Sequence, residues 1–290
     1  MRVGILGHKM GWHVEGLQRA FERRGVASDH LPITGINAGI GTGHSFEVEG
    51  RPLDAYDGLL IRIIPDGSLE QIVFRMDVLH CLEARGVKVM NSPKTIEKTV
   101  DKLYTSSLLE KHGIPTPRTV VTERFDEAMA AFEKLGDVIV KPLFGSGGRG
   151  MVRVSDWEVA YRTFRALEMG RYVYYLQEFV PHGDHDIRAL VVGSHVVAAM
   201  ARRSAGWRHN VARGARAEPY HLDAEAEKLC LQAMALLGAD YAGVDLLRTA
   251  DGRYVVIEVN SIPGWSGLQK TTSTDIADTI VAHLVASIHR

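Results

Sequence analysis

Three side chains near the end of the chain carry oxygen atoms at a spacing that suits a hard metal ion. In the segment 254–260, the strand period of two places Glu258 and Asn260 on one face and the apolar residues between them on the other. Asp245 lies within the apolar run 242–247, where a carboxylate is costly to bury unless a cation or hydrogen bonds compensate. Carboxylate and amide oxygens suit magnesium better than zinc. The alternative is a structural network in which the two carboxylates pair with arginines.

A glycine-rich loop that follows a lysine is the second feature that could bind a substrate or cofactor. Gly145, Gly147 and Gly150 form the pattern G-x-G-x-x-G, but the next residues alternate like a strand, whereas a dinucleotide-binding motif requires a helix there. The loop is therefore predicted to join two strands as a hairpin. Glycines let backbone N–H groups approach a phosphate closely, and Lys141 precedes the loop by four residues. A phosphate-binding hairpin is favoured over a plain flexible turn.

Charged residues further along the chain are candidate ligands for an anion. Arg188 interrupts an apolar strand pattern, where a guanidinium is expected if it holds an anion through two hydrogen bonds. For Arg203 and Arg213, solvated edge positions are the simpler interpretation. His182 and His185 have a spacing that a metal site could use, but no cysteine or third histidine is near them in the sequence. A loop with solvated histidines is therefore favoured over a zinc site.

The elements that would position these side chains change in character at about residue 95. Before it, strands and helices alternate, and each helix ends at a glycine, which is typical of a parallel sheet with helical crossovers. The strands expected there are 2–6, 58–64 and 87–90, the helices are 12–24 and 72–85, and 35–50 is a loop or hairpin. After it, helices are expected at 95–112, 126–135, 224–237 and from 275. The later strands are expected at 118–122, 138–141, 151–154, 174–179, 187–192, 195–201, 242–248 and 254–260.

Composition narrows the class of protein. In 290 residues, 34 Lys and Arg face 35 Asp and Glu, a formal charge of −1, so no overall field draws the chain to nucleic acid or to an anionic membrane. No apolar run approaches the roughly 18 residues of a membrane span, and the start of the sequence lacks the pattern of a secretory signal. Both cysteines, Cys81 and Cys230, are predicted to be small buried hydrophobes. A soluble cytoplasmic protein without nucleic-acid or membrane partners is expected.

The order of these motifs resembles the ATP-grasp enzymes, and more closely the RimK-type glutamate ligases. The resemblance extends from about residue 85 to the C-terminus, and the segments that carry it best are 177–179, 183–188, 242–245 and 258–264. It implies an α/β protein with a parallel-sheet pre-ATP-grasp domain followed by a two-subdomain ATP-grasp fold of α+β type. The implied divisions are 1–95 for the first domain, 96–175 for the subdomain with the glycine hairpin, and 176–290 for the subdomain with the metal site.

The resemblance also implies three groups of site residues. Those expected to hold ATP are Lys102, Lys141, Gly145, Ser146, Gly147, Gly148, Gln177, Glu178, Phe179, Asp186, Arg208 and Asn210. Those expected to bind two magnesium ions, which manganese can replace, are Asp245, Glu258 and Asn260. Those expected to act in catalysis, facing the reacting carboxylate, are Arg188 and Arg202. Within the first group, the lysines would reach the phosphates and the backbone of Glu178 and Phe179 would hold the adenine edge.

The implied reaction is a ligation in which ATP phosphorylates a carboxylate and an amine then displaces phosphate to form an amide. The residue types fit this chemistry, because phosphoryl transfer depends on positioning and charge neutralisation more than on a protein nucleophile. L-Glutamate is the expected amine, and a small carboxylic acid such as a pterin cofactor is the expected acceptor. The segments 67–71 and 74–77 look most like the members that act on tetrahydromethanopterin, and Trp265 departs from the members that modify a ribosomal protein.

Three other functions stay open at this point. The chain could ligate an amino acid to a protein tail or a carrier protein, it could be an ATP-grasp kinase that stops after phosphorylation, or it could be a nucleotide-binding module without catalysis. The presence of both lysines and all three metal ligands argues against the last of these. A homo-oligomer, either a dimer or a tetramer, is expected.

Overall fold

The computed structural model describes residues 1–41, 46–145, 147–204, 206–207 and 214–288 of the chain. Its helices are α1 (Trp12–Arg23), α2 (Leu69–Ala84), α3 (Pro93–Val100), α4 (Lys102–Lys111), α5 (Phe125–Leu135), α6 (Trp157–Met169), α7 (Ala224–Leu237), α8 (Ser266–Gln269) and α9 (Ile276–Ile288). Its strands are β1 (Arg2–Gly7), β2 (Ala27–Pro32), β3 (Ile36–Ala38), β4 (Phe46–Val48), β5 (Arg51–Pro52), β6 (Gly58–Ile61), β7 (Lys88–Met90), β8 (Thr119–Thr122), β9 (Val138–Lys141), β10 (Val152–Val154), β11 (Tyr174–Glu178), β12 (His185–Val192), β13 (His195–Arg203), β14 (Arg216–Pro219), β15 (Tyr241–Arg248) and β16 (Tyr254–Asn260).

The N-terminal sheet is parallel, as the alternation of strands and helices predicted. Its four strands have the order β2-β1-β6-β7. The central strands β1 and β6 are apolar and buried on both faces, which is the pattern of a parallel strand covered by helices on either side. Helix α2 begins at Ser68, whose hydroxyl accepts from the Gln71 N–H while the Gln71 side chain accepts from the Ser68 N–H.

The glycine-rich loop joins β9 to β10, so the predicted hairpin is confirmed. The two strands pair in antiparallel fashion, with Val140 opposite Val152, and belong to a four-stranded sheet of order β10-β9-β11-β8. Helices α5 and α6 cover this sheet through Phe132 and Phe164. The glycine-rich loop therefore extends beyond the sheet, at the end where Lys141 terminates β9.

A five-stranded antiparallel sheet of order β14-β13-β12-β15-β16 forms the C-terminal half. On β12, Leu190 and Val192 belong to an apolar core that includes residues of α1 and α9. Asp186 and Arg188 continue the same face, because side chains alternate along a strand. One face of β12 thus changes from an apolar core to a charged surface within a few residues.

Helix α9 packs on α1 and closes the apolar face of the N-terminal sheet. Leu17 of α1 and Ile280 of α9 are fully buried in one core with Ile5 of β1. Two ion pairs at the surface join the same helices, Arg23 with Asp275 and Arg24 with Asp278, each at 2.6 Å. Within the described residues, none of the helices is long and apolar enough to cross a membrane.

The structure corrects several expectations drawn from the sequence. The helix expected at 95–112 is two helices, α3 and α4, since Asp101 begins α4 by accepting from the Tyr104 N–H at 3.0 Å. The segment 35–50 contributes the strands β3, β4 and β5, and α6, β2 and β14 were not predicted. Cys230 is buried as expected, but Cys81 is exposed because it lies on the outer face of α2. The division at residues 95 and 175 stays a prediction, and β11 crosses the second boundary.

Asn91 connects the N-terminal sheet to the C-terminal sheet. It follows β7 and is fully buried. Its Nδ2 donates to the carbonyl oxygens of Tyr241 at 2.8 Å and Ser261 at 2.6 Å. Its Oδ1 accepts from the N–H groups of Asp240 at 2.6 Å and Tyr241 at 3.3 Å. All the hydrogen-bonding capacity of this amide is used between the two sheets.

We expect Asn91→Leu to lower the free energy of unfolding by about 3 kcal/mol or more, because it leaves several buried backbone groups without partners. Chemical denaturation measures this value. Asn37→Leu is the control, since Asn37 is exposed and its amide makes a single long bond of 3.4 Å to Glu47; the expected change there is within about 0.5 kcal/mol. Equal effects of the two substitutions would show that Asn91 does not hold the sheets together.

Candidate active site

A pocket between the two antiparallel sheets gathers most of the side chains that the sequence singled out. The predicted residues that line it are Lys102, Lys141, Gly145, Gly147, Gly148, Gln177, Glu178, Phe179, Asp186, Arg202, Asp245 and Glu258. Arg188 and Asn260 are not part of the lining, but both contact residues that are. Ser146, Arg208 and Asn210 lie outside the described residues. Strands β9 and β11 supply one wall, and β12, β13, β15 and β16 supply the other.

The two lysines reach this pocket from different elements. Lys102, in the first turn of α4, donates to the carbonyl oxygens of Leu143 at 3.2 Å and Gly145 at 2.9 Å, so its ammonium holds the near side of the glycine loop. Lys141 donates to the side-chain oxygen of Gln177, whose amide nitrogen donates in turn to Thr119 Oγ1 at 3.2 Å.

Burial perturbs the acidity of both lysines. It lowers the pKa of Lys141 to about 8, with Glu258 opposing the shift and the nearby charge of Lys102 adding to it. Burial also lowers the pKa of Lys102. Neither lysine is directly bound to a carboxylate of the described chain, and both face one cleft. An anionic ligand in that cleft would stabilise their charged forms.

Two arginines and two aspartates form a continuous network on the floor of the pocket. Arg188 binds both oxygens of Asp245, at 2.6 and 2.7 Å, and Arg202 binds both oxygens of Asp186 at the same distances. Arg202 Nη2 also donates to Asp245 Oδ2 at 2.9 Å. Each bidentate pair lies directly across two neighbouring strands, since Arg188 is opposite Asp245 and Asp186 is opposite Arg202. The formal charges of the four groups sum to zero.

The environment of this network affects its two acids differently. Burial raises the pKa of Asp186, although Arg202 opposes the shift. Burial would raise the pKa of Asp245 as well, but the charges of Arg188 and Arg202 hold it below the usual value. The pKa of Arg202 is raised by the two aspartates against the effect of its burial. Asp245 is therefore a carboxylate kept ionised in a buried site by two guanidinium groups.

Glu258 has fewer protein partners than Asp245, the other carboxylate predicted to bind metal. It lies opposite Asp245 across β15 and β16 and is partly exposed to the pocket. Within the described chain, no lysine or arginine forms an ion pair with it. With its amide oriented to satisfy both of its groups, Asn260 donates to Glu258 Oε1 at 3.2 Å and accepts from Arg188 Nη2 at 3.1 Å.

The donor set fits a hard cation by its chemistry, with oxygen atoms from two carboxylates and one amide. The described residues contain no group of three or more His, Cys, Asp or Glu that could hold a metal ion. The alternative of a structural ion-pair network, weighed from the sequence, describes Asp245 in part, because both of its oxygens accept from arginines. Each carboxylate oxygen has two lone pairs; Oδ2 accepts from both arginines, whereas Oδ1 accepts from Arg188 alone and keeps one lone pair for a cation.

The backbone contact of Glu178 and Phe179 with adenine stays a prediction, and the structure limits which of their backbone groups could make it. The N–H of Glu178 donates to the Arg118 carbonyl at 2.9 Å, and the N–H of Phe179 donates to the Asp137 carbonyl at 2.8 Å. Both N–H groups are thus used within the protein, and a base would have to bind other backbone groups of this segment. The Arg153 guanidinium lies 3.5 Å from the centre of the Phe179 ring and covers one face of that ring.

A second group of polar side chains, which no sequence pattern connects, lies where the N-terminal sheet meets the segment after β16. Arg62 stacks on Trp265 with 4.5 Å from guanidinium carbon to ring centre, and its Nη1 donates to the hydroxyl of Tyr241 at 3.1 Å. His13 Nε2 accepts from the Trp265 N–H at 3.1 Å. These residues are far apart in the sequence, and only their packing connects them.

Comparison with known proteins identifies the family. The profile of the RimK-like ATP-grasp domain matches residues 99–284 of this chain, well over half of its length. The chain belongs to the RimK-like ATP-grasp family. The resemblance drawn from the motifs is therefore confirmed, and the chain is an ATP-grasp ligase, an enzyme class that forms carbon–nitrogen bonds.

Curated relatives of this RimK-like ligase extend beyond the matched domain. A tetrahydromethanopterin:alpha-L-glutamate ligase of Methanocaldococcus jannaschii is 36% identical, with 98% of each chain covered. The ligase of the same name from Methanococcus maripaludis is 35% identical, with 97% of each covered. An alpha-aminoadipate–LysW ligase, LysX, of Sulfurisphaera tokodaii is 33% identical over 67% of this chain and 70% of the relative.

Solved structures confirm the fold class of the RimK-like ligase. The ATP-grasp ligase PsnB, determined with a minimal precursor, Mg and ADP, superposes with a TM-score of 0.78 at 21% identity, covering 99% of this chain and 98% of PsnB. A RimK domain ATP-grasp protein from Sphaerobacter thermophilus gives a TM-score of 0.77 at 21% identity, covering 98% of this chain and 99% of that protein. The predicted combination of a parallel N-terminal sheet with an ATP-grasp fold is correct.

Proposed function

We propose that this RimK-like ligase adds L-glutamate to a carboxylate-bearing small molecule of the pterin class, with ATP as the activating substrate. The observation that carries the proposal is the similarity to tetrahydromethanopterin:alpha-L-glutamate ligase over 98% of both chains. This coverage includes the N-terminal sheet, which lies before the matched domain at residues 99–284. The similarity to LysX, whose name gives LysW as its partner, covers only 67% of this chain.

The first step would transfer the terminal phosphoryl group of ATP to an oxygen of the acceptor carboxylate, releasing ADP. Lys102 and Lys141 would bind the phosphates, since both reach the pocket beside the glycine hairpin. Magnesium held by Asp245, Glu258 and Asn260 would supply further neutralisation of phosphate charge. The site then needs no protein nucleophile, because the substrate carboxylate attacks phosphorus itself.

In the second step, the amine of glutamate would attack the acyl carbon, lose a proton, and displace inorganic phosphate. Arg188 and Arg202 are proposed to stabilise the charge on the carbonyl oxygen as the amine adds. Their Nε and Nη2 atoms are fixed by the aspartates, and on the described chain no residue bonds the Nη1 atom of either one. A guanidinium held through two of its nitrogens presents the third in a defined direction.

The proposal also includes the ATP-binding residues predicted from the sequence and two magnesium ions, which manganese can replace. A homo-oligomer, a cytoplasmic location and the three-part domain division belong to it as well. Metal-free enzyme should regain activity with either ion. Titration of the enzyme–ATP complex with manganese, followed by electron paramagnetic resonance, counts the bound ions, and analytical ultracentrifugation measures the oligomeric state.

The decisive experiment is phosphate release from ATP and magnesium with L-glutamate, against a panel of acceptors that includes folate-type and methanopterin-type pterins. Mass spectrometry of the products identifies what was joined. Release that requires both glutamate and a pterin, with the mass gain of a glutamyl residue, supports the proposal. Amide formation only on a LysW-type carrier protein, ADP production without free phosphate, or ATP binding without turnover would each contradict it.

We expect the affinity for ATP to fall by about tenfold as the pH rises from about 7 to 9.5. The pKa of Lys141 is lowered to about 8 by its burial, so its ammonium is present below that pH and lost above it. Lys141→Arg should remove this dependence, because arginine keeps its charge throughout the range. Calorimetric titration measures the dissociation constant, with the exposed Lys134→Arg as the control. A wild-type profile that stays flat would contradict the role of Lys141.

A further inference from the structure

Few buried polar atoms of the described residues lack a hydrogen-bond partner, and two of them lie near the carboxyl ends of the strands of the N-terminal sheet. In the described residues, the buried side-chain atoms that lack a hydrogen bond are His30 Nε2, Arg62 Nε and Thr116 Oγ1. Arg62 follows β6, and its N–H donates to the Leu6 carbonyl at 2.8 Å. His30 on β2 covers Gly7 so closely that a Cβ at Gly7 would lie 2.9 Å from His30 Nε2.

Both groups therefore flank the carboxyl end of β1, one from each neighbouring strand. Strands β2 and β6 are separated by β1, which places them about 10 Å apart. The carboxyl ends of parallel strands are where open α/β sheets bind their ligands. Arg62 lies two residues after Leu60, and Gly7 two after Ile5, and both of these apolar residues belong to the core beneath α1. Alternation thus assigns Arg62 and Gly7 to one face.

The guanidinium of Arg62 is held rigidly but is not neutralised. Trp265 supports its plane and Tyr241 fixes one nitrogen, yet no carboxylate of the described chain lies within 4.0 Å of it. Burial, with a contribution from the charge of Arg62, lowers the pKa of His13 to about 4, so the histidine beneath Trp265 is uncharged at neutral pH. A positioned arginine with an unpaired buried donor is the chemistry of a carboxylate or phosphate site.

Strand β15 connects Arg62 to the reaction site, since the hydroxyl of Tyr241 accepts from Arg62 and Asp245 accepts from Arg188. Tyr241, Gly243 and Asp245 alternate along β15 and share one side of the sheet. A Cβ at Gly243 would lie 3.2 Å from Pro263 and 3.6 Å from Arg188 Nε, so protein covers the strand between the two sites and an acceptor that reaches both would have to pass outside this cover. Four residues of strand span about 13 Å, which is within the length of an elongated small molecule.

We propose that Arg62, supported by Trp265 and with His30 on the other side of β1, binds an anionic group of the acceptor other than the carboxylate that reacts. The group is a carboxylate or a phosphate situated about 10 to 15 Å from the reacting centre. The identity of the acceptor rests on the proposed function, but the anion site itself does not. Arg62 is a specificity residue for the acceptor, outside the ATP pocket.

The first test is steady-state kinetics of Arg62→Met with a pterin acceptor. The KM for the acceptor should rise about 10- to 100-fold, while the KM values for ATP and glutamate and the kcat change by less than about threefold. Arg85→Met is the matched control, because Arg85 also stacks on an aromatic ring, Phe46 at 4.5 Å, in the same sheet domain. An acceptor without the second anionic group should be used equally by the wild type and Arg62→Met. An unchanged KM for the intact acceptor would overturn the proposal.

The second test does not depend on turnover. Tryptophan fluorescence is titrated with inorganic phosphate and separately with citrate, with a non-hydrolysable ATP analogue filling the nucleotide pocket. Saturation by one anion in the wild type and in Arg85→Met, and its loss in Arg62→Met, supports the site and shows which anion it prefers. If this pattern appears but no pterin is glutamylated, the proposed function fails and the anion site stands. A correctly folded wild type that saturates with neither anion would overturn the inference.

Discussion

Glu258→Gln is expected to lower kcat by about 10²- to 10³-fold or more while the fold stays intact. Glu258 is the pocket carboxylate that no lysine or arginine neutralises within the described chain, so its charge is available for a cation. Glutamine keeps the size of the side chain and one oxygen but loses the charge. Because Glu258 is partly exposed and accepts mainly from Asn260, we expect the Tm to shift by less than about 3 °C.

The same substitution should also change the acidity of the lysines. The negative charge of Glu258 opposes the lowering of the pKa of both Lys102 and Lys141. Its removal should move the Lys141 pKa below about 8, which the pH dependence of ATP binding measures. Glu97→Gln on the surface of α3 is the control, since Glu97 is exposed and, among the described residues, forms an ion pair with the half-exposed His80 alone. Near-normal turnover in Glu258→Gln would refute the proposed metal role.

Asp245→Asn is expected to lower the free energy of unfolding by about 3 to 5 kcal/mol and to abolish activity. Asp245 is 2% exposed and accepts from both Arg188 and Arg202. Asparagine would leave Arg188 without a charged partner and Arg202 with Asp186 alone, and it would turn an N–H donor toward an arginine N–H. Denaturant titration measures the loss. Asp251→Asn, which breaks an exposed pair with Arg253, should cost less than about 1 kcal/mol.

A double variant separates the structural part of this effect from the catalytic part. Adding Arg188→Met to Asp245→Asn removes the guanidinium that lost its charged partner and should restore part of the stability, since the two residues are in direct contact. Activity should not return, because both groups are proposed to act in the reaction. If the single Asp245→Asn variant were as stable as the wild type, the network would not depend on this charge.

The sequence was most informative where local spacing determines the outcome. The glycine hairpin with Lys141, the helix at 224–237 and the strand at 254–260 all lie where their patterns placed them. Strand alternation also correctly put Glu258 and Asn260 on one face, where the Asn260 amide bridges Glu258 and Arg188. These features require only the period of a strand or a helix.

The pairing between strands was beyond the reach of the sequence. Arg188 opposes Asp245 and Asp186 opposes Arg202 because of the register of β12 with its two neighbours. A slip of one residue would turn these side chains to the opposite face, so the network depends on pairing that no local pattern specifies. The sequence interpretation made Asp245 a metal ligand and Arg188 a catalytic group; both roles stay predictions, and the structure shows that the two side chains form one bidentate pair.

Asn91 and Arg62 were missed for a related reason. Each is an ordinary polar residue at the end of a short buried strand, and its importance comes from partners more than 100 residues away, such as Tyr241. Trp265 does stand out in the sequence, because it departs from the members that modify a ribosomal protein. Its pairing with Arg62 and His13 depends on how the segment after β16 packs against the N-terminal sheet, and this is a tertiary property.

The packing of α9 on α1 has a consequence for how the protein is made. The apolar face of β1, with Val3 and Ile5, is completed by Ile280 and Leu284 from the far end of the chain. A ribosome therefore produces the first sheet long before it produces the helix that covers that sheet. The nascent chain therefore exposes this apolar face until α9 has been made, and we expect truncated products that lack α9 to aggregate through it.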